Sequence, residues 1–136
     1  MGARRSGREV ALQVLFQVEL TQQTAERALS LFWQHHEADP EGKSYAEHVV
    51  LGVERELTGV DDKLRAASTH WRLERMSRID RNLLRMGAWE LLHQTDIPVA
   101  VVIDECIELA KSFGTDDSPA FVNGVLNRVA ELSIAP

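Results

Sequence analysis

Arginine and aromatic side chains recur at helical spacing in the first twenty residues. Arg5, Arg8 and Phe16, together with Leu12, follow one another at intervals of three and four, which places them on one face of a helix. Guanidinium groups contact phosphates, and aromatic rings stack on the bases of single-stranded nucleic acid. This face therefore predicts RNA binding, although Phe16 is equally compatible with a place in the hydrophobic core.

The start of the last predicted helix is a second candidate site. Its free backbone amides, around residues 117–119, suit an anion, and Phe113 and Phe121 flank them. Both aromatic residues also continue apolar helical stripes, and Asp116 and Asp117 would oppose a phosphate placed directly at that end. From the residues alone, core packing is the stronger interpretation of the two aromatic rings.

Charge is distributed unevenly along the 136 residues. The formal net charge is −6, yet residues 1–8 hold three arginines and residues 63–85 hold seven basic against two acidic residues. Arg78, Arg81 and Arg85 form one helical stripe in the second zone. Such zones bind a polyanion locally, so this stripe could contact RNA or an acidic partner. Charge alone favours a solvated helix face.

Motifs for catalysis and for metal binding are absent from the sequence. The five histidines lack metal-site spacing, and neither a glycine-rich phosphate loop nor a nucleophile elbow occurs. Asp104, Glu105 and Glu108 predict an exposed acidic face rather than an acid–base pair. Cys106 lies on an apolar stripe, where core packing is expected. We therefore expect no catalysis, no cofactor and no metal ion.

The length of 136 residues predicts one domain with a core of its own, spanning residues 1–136. The central apolar run Val99–Ile103 is too short to cross a bilayer, and no apolar stretch typical of a signal peptide follows the basic N-terminus. A single cysteine fits a reducing compartment. The sequence thus predicts a cytoplasmic protein.

Apolar residues spaced by three and four predict helices along most of the chain. The predicted helices run over about residues 4–20, 25–37, 45–67, 77–93, 98–113 and 118–129. Gly59 marks a candidate break in the third, which gives seven or so helices. Helices joined by short loops predict an all-α fold of stacked helical bundles.

Capping residues and breakers set several of the predicted boundaries. Thr24, Ser77 and Ser118 are predicted N-caps, and Gly114 is a predicted C-terminal stop. Asp39–Gly42 is predicted to be a loop, because proline and glycine interrupt regular structure.

Two segments of the chain, about residues 4–20 and 75–129, carry motifs of characteristic order and spacing. The first segment carries Arg4-Arg5, Arg8-Glu9, Ala11, Gln13 and Leu15-Phe16. The second carries Ile79-Asp80-Arg81, Leu84-Arg85, Glu90-Leu91, Ile97-Pro98, Val102-Ile103-Asp104-Glu105, Glu108 to Gly114 and Phe121 to Leu126. With these residues the two segments resemble the NusB family of bacterial transcription antitermination factors, and the second segment keeps the family's order and spacing throughout.

This resemblance implies an all-helical NusB-like fold of two small bundles that share a core. It also implies binding of the boxA element of ribosomal and phage leader RNA, as a heterodimer with NusE, the small-subunit ribosomal protein. Such a complex joins NusA, NusG and RNA polymerase to suppress termination, notably in rRNA operons.

The resemblance also implies two sets of binding residues. The RNA-binding residues are expected to be Arg4, Arg5, Arg8, Phe16, Arg85, Phe113, Phe121 and Asn123. The NusE-binding residues are expected to be Asp80, Arg78 and Asp117. Phe16 stands where the family often has tyrosine, which keeps stacking but removes a hydroxyl contact. Ser6 and Gly7 interrupt the arginine run, which lowers the expected boxA affinity.

Two other classes of function stay open at this point. The same fold forms the N-terminal RNA-binding domain of an rRNA cytosine methyltransferase, so the chain could be a fragment of such an enzyme. A bundle that binds only proteins is the third class. Self-association as a homodimer also stays open.

Overall fold

The computed structural model describes residues 2–134, which form seven α-helices, one short 3-10 helix and no β-strand. The helices are α1 (Gly2–Thr21), α2 (Ala25–His35), α3 (Pro40–Arg55), α4 (Leu57–Ala67), α5 (Arg78–His93), α6 (Val99–Phe113) and α7 (Ser118–Ile134), and the 3-10 helix spans Leu73–Arg75. The chain divides into two compact units, Met1–Arg55 and Glu56–Pro136. The predicted all-α class is confirmed.

The first unit is built on the packing of α1 against α3, with α2 in contact with both helices. Ala11 and Val14 on α1, and Ala46 and Val49 on α3, are at most 1% exposed. These small and β-branched residues recur at spacings of three, so they line one face of each helix. Short side chains on both faces let the two helices lie close together.

The prediction of a loop at Asp39–Gly42 is wrong, because α3 begins at Pro40. The amide of Gly42 donates a 2.8 Å hydrogen bond to the side chain of Asp39, which therefore caps the helix. Proline suits the first helical position, where an amide would have no partner within the helix. The aspartate and proline together are a start signal rather than an interruption.

The predicted helix over residues 45–67 is two helices, since α3 ends at Arg55 and α4 begins at Leu57. Glu56, between them, has φ −104° and ψ 17°, outside the helical region. Gly59, the predicted break, lies inside α4. The apolar periodicity continues across the junction, so the spacing alone did not locate it.

Two of the three predicted N-caps are confirmed. Thr24 accepts a hydrogen bond from the amide of Arg27, and Ser77 accepts one from the amide of Asp80, both at 3.1 Å. Ser118 is instead the first residue of α7, and its hydroxyl accepts a hydrogen bond from the preceding Thr115 amide. The Ser118 cap was therefore wrong by one position.

The second unit encloses α5, which contacts α4, α6 and α7. Leu83, Leu84, Met86 and Trp89 are at most 1% exposed, and they lie on more than one face of the helix. Cys106 of α6 is fully buried, as its position on an apolar stripe predicts. A helix buried on most of its circumference has to fit several neighbours at once.

Gly87 of α5 lies next to side chains of both α6 and α7. A Cβ atom at this position would lie 2.7 Å from Cδ1 of Leu126 and 3.0 Å from Sγ of Cys106. Both distances are shorter than normal carbon contacts. The absence of a side chain at Gly87 therefore allows the packing of this unit.

Of the helices between residues 2 and 134, none has both the length and the hydrophobicity that crossing a membrane requires.

The substitution Gly87→Val tests this close approach. We expect it to lower the free energy of unfolding by about 1–3 kcal/mol, because the added side chain overpacks the core. Gly124→Ala on α7 is the matched control, since a Cβ there has no neighbour within 4 Å. It should raise the free energy of unfolding by about 0.5–1 kcal/mol. Urea unfolding measures both, and a Gly87→Val variant as stable as the native chain would contradict the packing argument.

Candidate RNA- and protein-binding surfaces

Two arginines of α1 face one aromatic ring in the first unit. The guanidinium carbons of Arg4 and Arg8 lie 5.2 Å and 5.5 Å from the ring centre of Tyr45 on α3. Cations at this distance from a ring face are attracted by its negative potential. Arg8 is only 3% exposed, whereas Arg4 is exposed. Tyr45 thus anchors Arg8 and leaves the guanidinium of Arg4 accessible to a ligand.

Other predicted RNA-binding residues of this unit differ in accessibility. Arg5 is exposed, and Phe16 is half-buried on α1. A half-buried ring can pack against the core with one edge and present another to solvent. Phe16 can therefore pack in the core and also stack on RNA, and its contact with RNA stays a prediction.

The second unit has an open groove with a volume of about 360 Å³, formed where the segment before α5 meets the start of α7. It brings together Phe121, predicted to bind RNA, with Asp80 and Asp117, predicted to bind NusE. The other residues that line it are Trp71, Arg72, Arg75, Met76 and Ser77. We call this feature the Trp71 groove.

Trp71 is the most exposed large hydrophobic side chain in the described part of the chain, at 63%. Its ring meets that of Phe121 edge to face, with centroids 5.9 Å apart and planes at 81°. Perpendicular contacts of this kind are favourable because the edge of one ring is positive and the face of the other is negative. Phe121 thus orients the indole while most of its surface remains open.

Hydrogen bonds hold the segment that carries Trp71. The guanidinium of Arg81 on α5 donates to the carbonyl oxygens of Leu73 and Met76, at 3.2 Å and 2.8 Å. Leu73 itself is 2% exposed, so the 3-10 turn is fixed by burial as well. Arg81 therefore ties the edge of the Trp71 groove to the buried helix α5.

An ion pair on the surface also connects the 3-10 turn to α4. Arg65 of α4 donates a 3.1 Å hydrogen bond to Glu74 in the 3-10 turn. A hydrogen bond from its own backbone amide, and then the one from Arg65, lower the pKa of Glu74. Both side chains are more than half exposed, so the pair contributes little to stability.

Arg85 lies in a paired and largely buried position. Its Nε and Nη2 atoms donate to Oδ1 and Oδ2 of Asp61 on α4, at 2.9 Å and 3.0 Å. The two side chains are 15% and 11% exposed. Two parallel charge-assisted hydrogen bonds compensate the guanidinium charge and connect α4 to α5. Contact of Arg85 with RNA stays a prediction.

Three other predicted residues lie outside the lining of the Trp71 groove. Phe113, the last residue of α6, is 38% exposed, so its ring is accessible. Asn123 is exposed on α7, where its side-chain oxygen accepts a 2.8 Å hydrogen bond from Asn127. Arg78 is exposed at the start of α5.

The residues that the sequence did not single out are Tyr45, Trp71, Arg72 and Arg75. Tyr45 lies on the apolar stripe of α3, and Trp71 lies in a segment whose apolar residues have no clear periodicity. A tryptophan with arginines one and four positions later, outside any clear stripe, was the available signal. Among residues 2–134, no cluster of three or more histidine, cysteine or acidic side chains could hold a metal ion.

The chain is similar to proteins of one family over nearly its whole length. The NusB family model matches residues 5–131. The transcription antitermination protein NusB of Sorangium cellulosum is 56% identical over 131 residues, which cover 96% of this chain and 94% of that protein. The protein of the same name from Myxococcus xanthus is 47% identical and covers 96% of each chain.

Solved structures agree with this similarity. NusB of T. maritima superposes with a TM-score of 0.86 at 37% identity, covering 96% of this chain and 93% of that one. A crystal structure of the antitermination factors NusB and NusE in complex with dsRNA gives a TM-score of 0.86 at 21% identity, covering 96% and 97%. At that lower identity, the likeness concerns the fold.

The buried pair Arg85–Asp61 yields a stability prediction. We expect Arg85→Met to lower the free energy of unfolding by about 3 kcal/mol, because it leaves the Asp61 carboxylate buried without its partner. The double variant Arg85→Met/Asp61→Leu should recover most of this loss, since no charge remains. Arg65→Met, at an exposed pair, is the control and should cost less than about 1 kcal/mol. Urea unfolding that gave equal losses for Arg85→Met and Arg65→Met would contradict the prediction.

Proposed function

Because this chain belongs to the NusB family, we propose that it is a transcription antitermination factor that binds boxA RNA together with NusE, the small-subunit ribosomal protein. The complex joins NusA, NusG and RNA polymerase and helps the polymerase resist termination, notably in rRNA operons. The observation that carries the proposal is 56% identity to an antitermination protein over nearly the full length of both chains.

The accessible cations and rings of both units support RNA binding. Arg4 and Arg5 present guanidinium groups on α1, and the Trp71 groove presents an aromatic ring beside two arginines. Phosphates are held by guanidinium groups, and unpaired bases stack on rings. Both chemistries are needed to hold a single-stranded element such as boxA.

Asp80 supports the contact with NusE. Its Oδ1 atom is buried and accepts no hydrogen bond from residues 2–134. The residue as a whole is only partly buried and lines the open Trp71 groove, so a partner that enters the groove can approach its carboxylate. Asp117 lines the same groove, and Arg78 lies two residues before Asp80 on α5.

The proposed role involves no catalysis and no cofactor, and residues 1–136 act as one NusB-like domain, since the family model extends over residues 5–131. A transcription factor of a bacterium works in the cytoplasm, which is the location the role implies. The alternative of a methyltransferase fragment is not favoured, because relatives matched over 94% and 96% of their own length are antitermination proteins.

Removal of the accessible arginines tests RNA binding. We expect Arg4→Ala/Arg5→Ala to weaken binding of boxA RNA and to reduce the slope of log K against log salt by about 0.7 for each phosphate that is no longer neutralised. Fluorescence anisotropy of labelled RNA at several salt concentrations measures both quantities. Arg27→Ala, an exposed arginine on α2, is the control and should change neither. An unchanged slope in the double variant would remove the α1 arginines from the RNA surface.

Charge reversal at Asp80 tests the NusE contact. We expect Asp80→Lys to weaken NusE binding at least about tenfold, because it replaces an acceptor by a cation in the interface. Isothermal titration calorimetry measures the affinity, and circular dichroism checks that α5 persists without its first-turn carboxylate. Asp104→Lys, on the exposed face of α6, is the matched control. Native affinity in Asp80→Lys would exclude Asp80 from the interface.

A further inference from the structure

The Trp71 groove combines an open aromatic face with charges of both signs. Trp71 is 63% exposed, although its contact with Phe121 fixes its orientation. A large exposed ring held in place by a neighbour gains binding energy without first losing conformational freedom. Such a ring is suited to stack against a flat ligand.

Arginines at the groove supply the positive charge for a polyanion. Arg72 and Arg75 are exposed, and neither guanidinium forms a salt bridge with a residue in the described range. Phosphate groups attract guanidinium groups of this kind, whether or not a base is recognised. The backbone of a nucleic acid strand can therefore follow this edge of the groove.

The carboxylates that line the Trp71 groove disfavour a phosphate inside it and favour a base. Asp80 and Asp117 line the groove, so a phosphate inside it would meet two negative charges. A base that carries an exocyclic amino group instead offers hydrogen-bond donors to a carboxylate. The volume of about 360 Å³ lies at the lower end of the range for small-ligand sites, which suits one base.

We propose that the Trp71 groove is a subsite for one unstacked base of single-stranded RNA, which stacks on Trp71 while Arg72 and Arg75 contact the adjacent phosphates. This inference rests on the proposed RNA-binding function and assigns one nucleotide to a place on the second unit.

The test compares RNA binding of the native chain and Trp71→Ala, each with saturating NusE, by fluorescence anisotropy. The probe is a boxA-containing single-stranded RNA in which each nucleotide in turn is made abasic. Removal of a stacked base weakens binding by about tenfold, within the range known for base–aromatic stacking. One abasic position should thus weaken binding to the native chain, and the same position should have no further effect in Trp71→Ala.

Salt dependence and control variants separate stacking from general charge effects. Trp71→Ala should lower affinity without changing the slope of log K against log salt, whereas Arg75→Ala should reduce that slope by about 0.7. Trp71→Phe keeps an aromatic face and should retain most of the affinity. Val101→Ala removes exposed apolar surface from α6, outside the groove, and should change nothing.

Three outcomes would overturn the subsite. If each abasic position changed the RNA affinity equally in the native chain and in Trp71→Ala, no base would stack on Trp71. A decrease of NusE affinity in Trp71→Ala, with RNA affinity unchanged, would make the groove a protein-docking site. If the native chain with NusE present bound none of the RNAs, the proposed function would fail as well, whereas RNA binding without a Trp71-dependent position would remove only the subsite.

Discussion

Burial of α5 is the constraint on which the second unit depends. Leu83, Leu84, Met86 and Trp89 of this helix are almost completely enclosed, and each large apolar side chain contributes about 1.5–3 kcal/mol when buried. A helix held by neighbours on several sides cannot rotate or slide without opening cavities. Its N-terminus is therefore a fixed support, and the hydrogen bonds of Arg81 extend that support to the turn that carries the aromatic groove.

Arginine serves two physical purposes in this molecule. Arg81 binds backbone carbonyl oxygens, Arg85 binds a buried carboxylate, and Arg8 lies buried against an aromatic ring. These three guanidinium groups use their donors and charge within the fold. Arg72 and Arg75 are exposed and form no salt bridge inside the described range, so their charge remains available to a polyanion. Counting basic residues along the sequence cannot make this distinction, because a partner such as Asp61 lies 24 residues away from Arg85.

Periodicity and capping chemistry predicted the helical class and most helices, because both are local properties of the chain. Ser77 caps the start of α5 as predicted, since a hydroxyl before a helical segment accepts a hydrogen bond from a free amide of the first turn. The junction at Glu56 was missed because apolar spacing continues across it and the break depends on how the helices pack. The exposure of Trp71 was missed for a related reason. It follows from a turn held by contacts of Arg81, which no local pattern encodes.

Stacking has to carry a substantial share of any RNA affinity in this chain. The formal charge of residues 63–85 overstates the cationic surface, because Asp61 lies outside this range and compensates Arg85. Glu74, which that charge already includes, pairs with Arg65. Since the pKa of Glu74 is lowered, that carboxylate stays ionised in mildly acidic solution as well. Few phosphate contacts mean few released counterions, and an overall charge of −6 repels RNA elsewhere on the surface. Base–aromatic contacts of about 1–3 kcal/mol each do not depend on net charge, so exposed rings offset the weak electrostatic attraction of RNA.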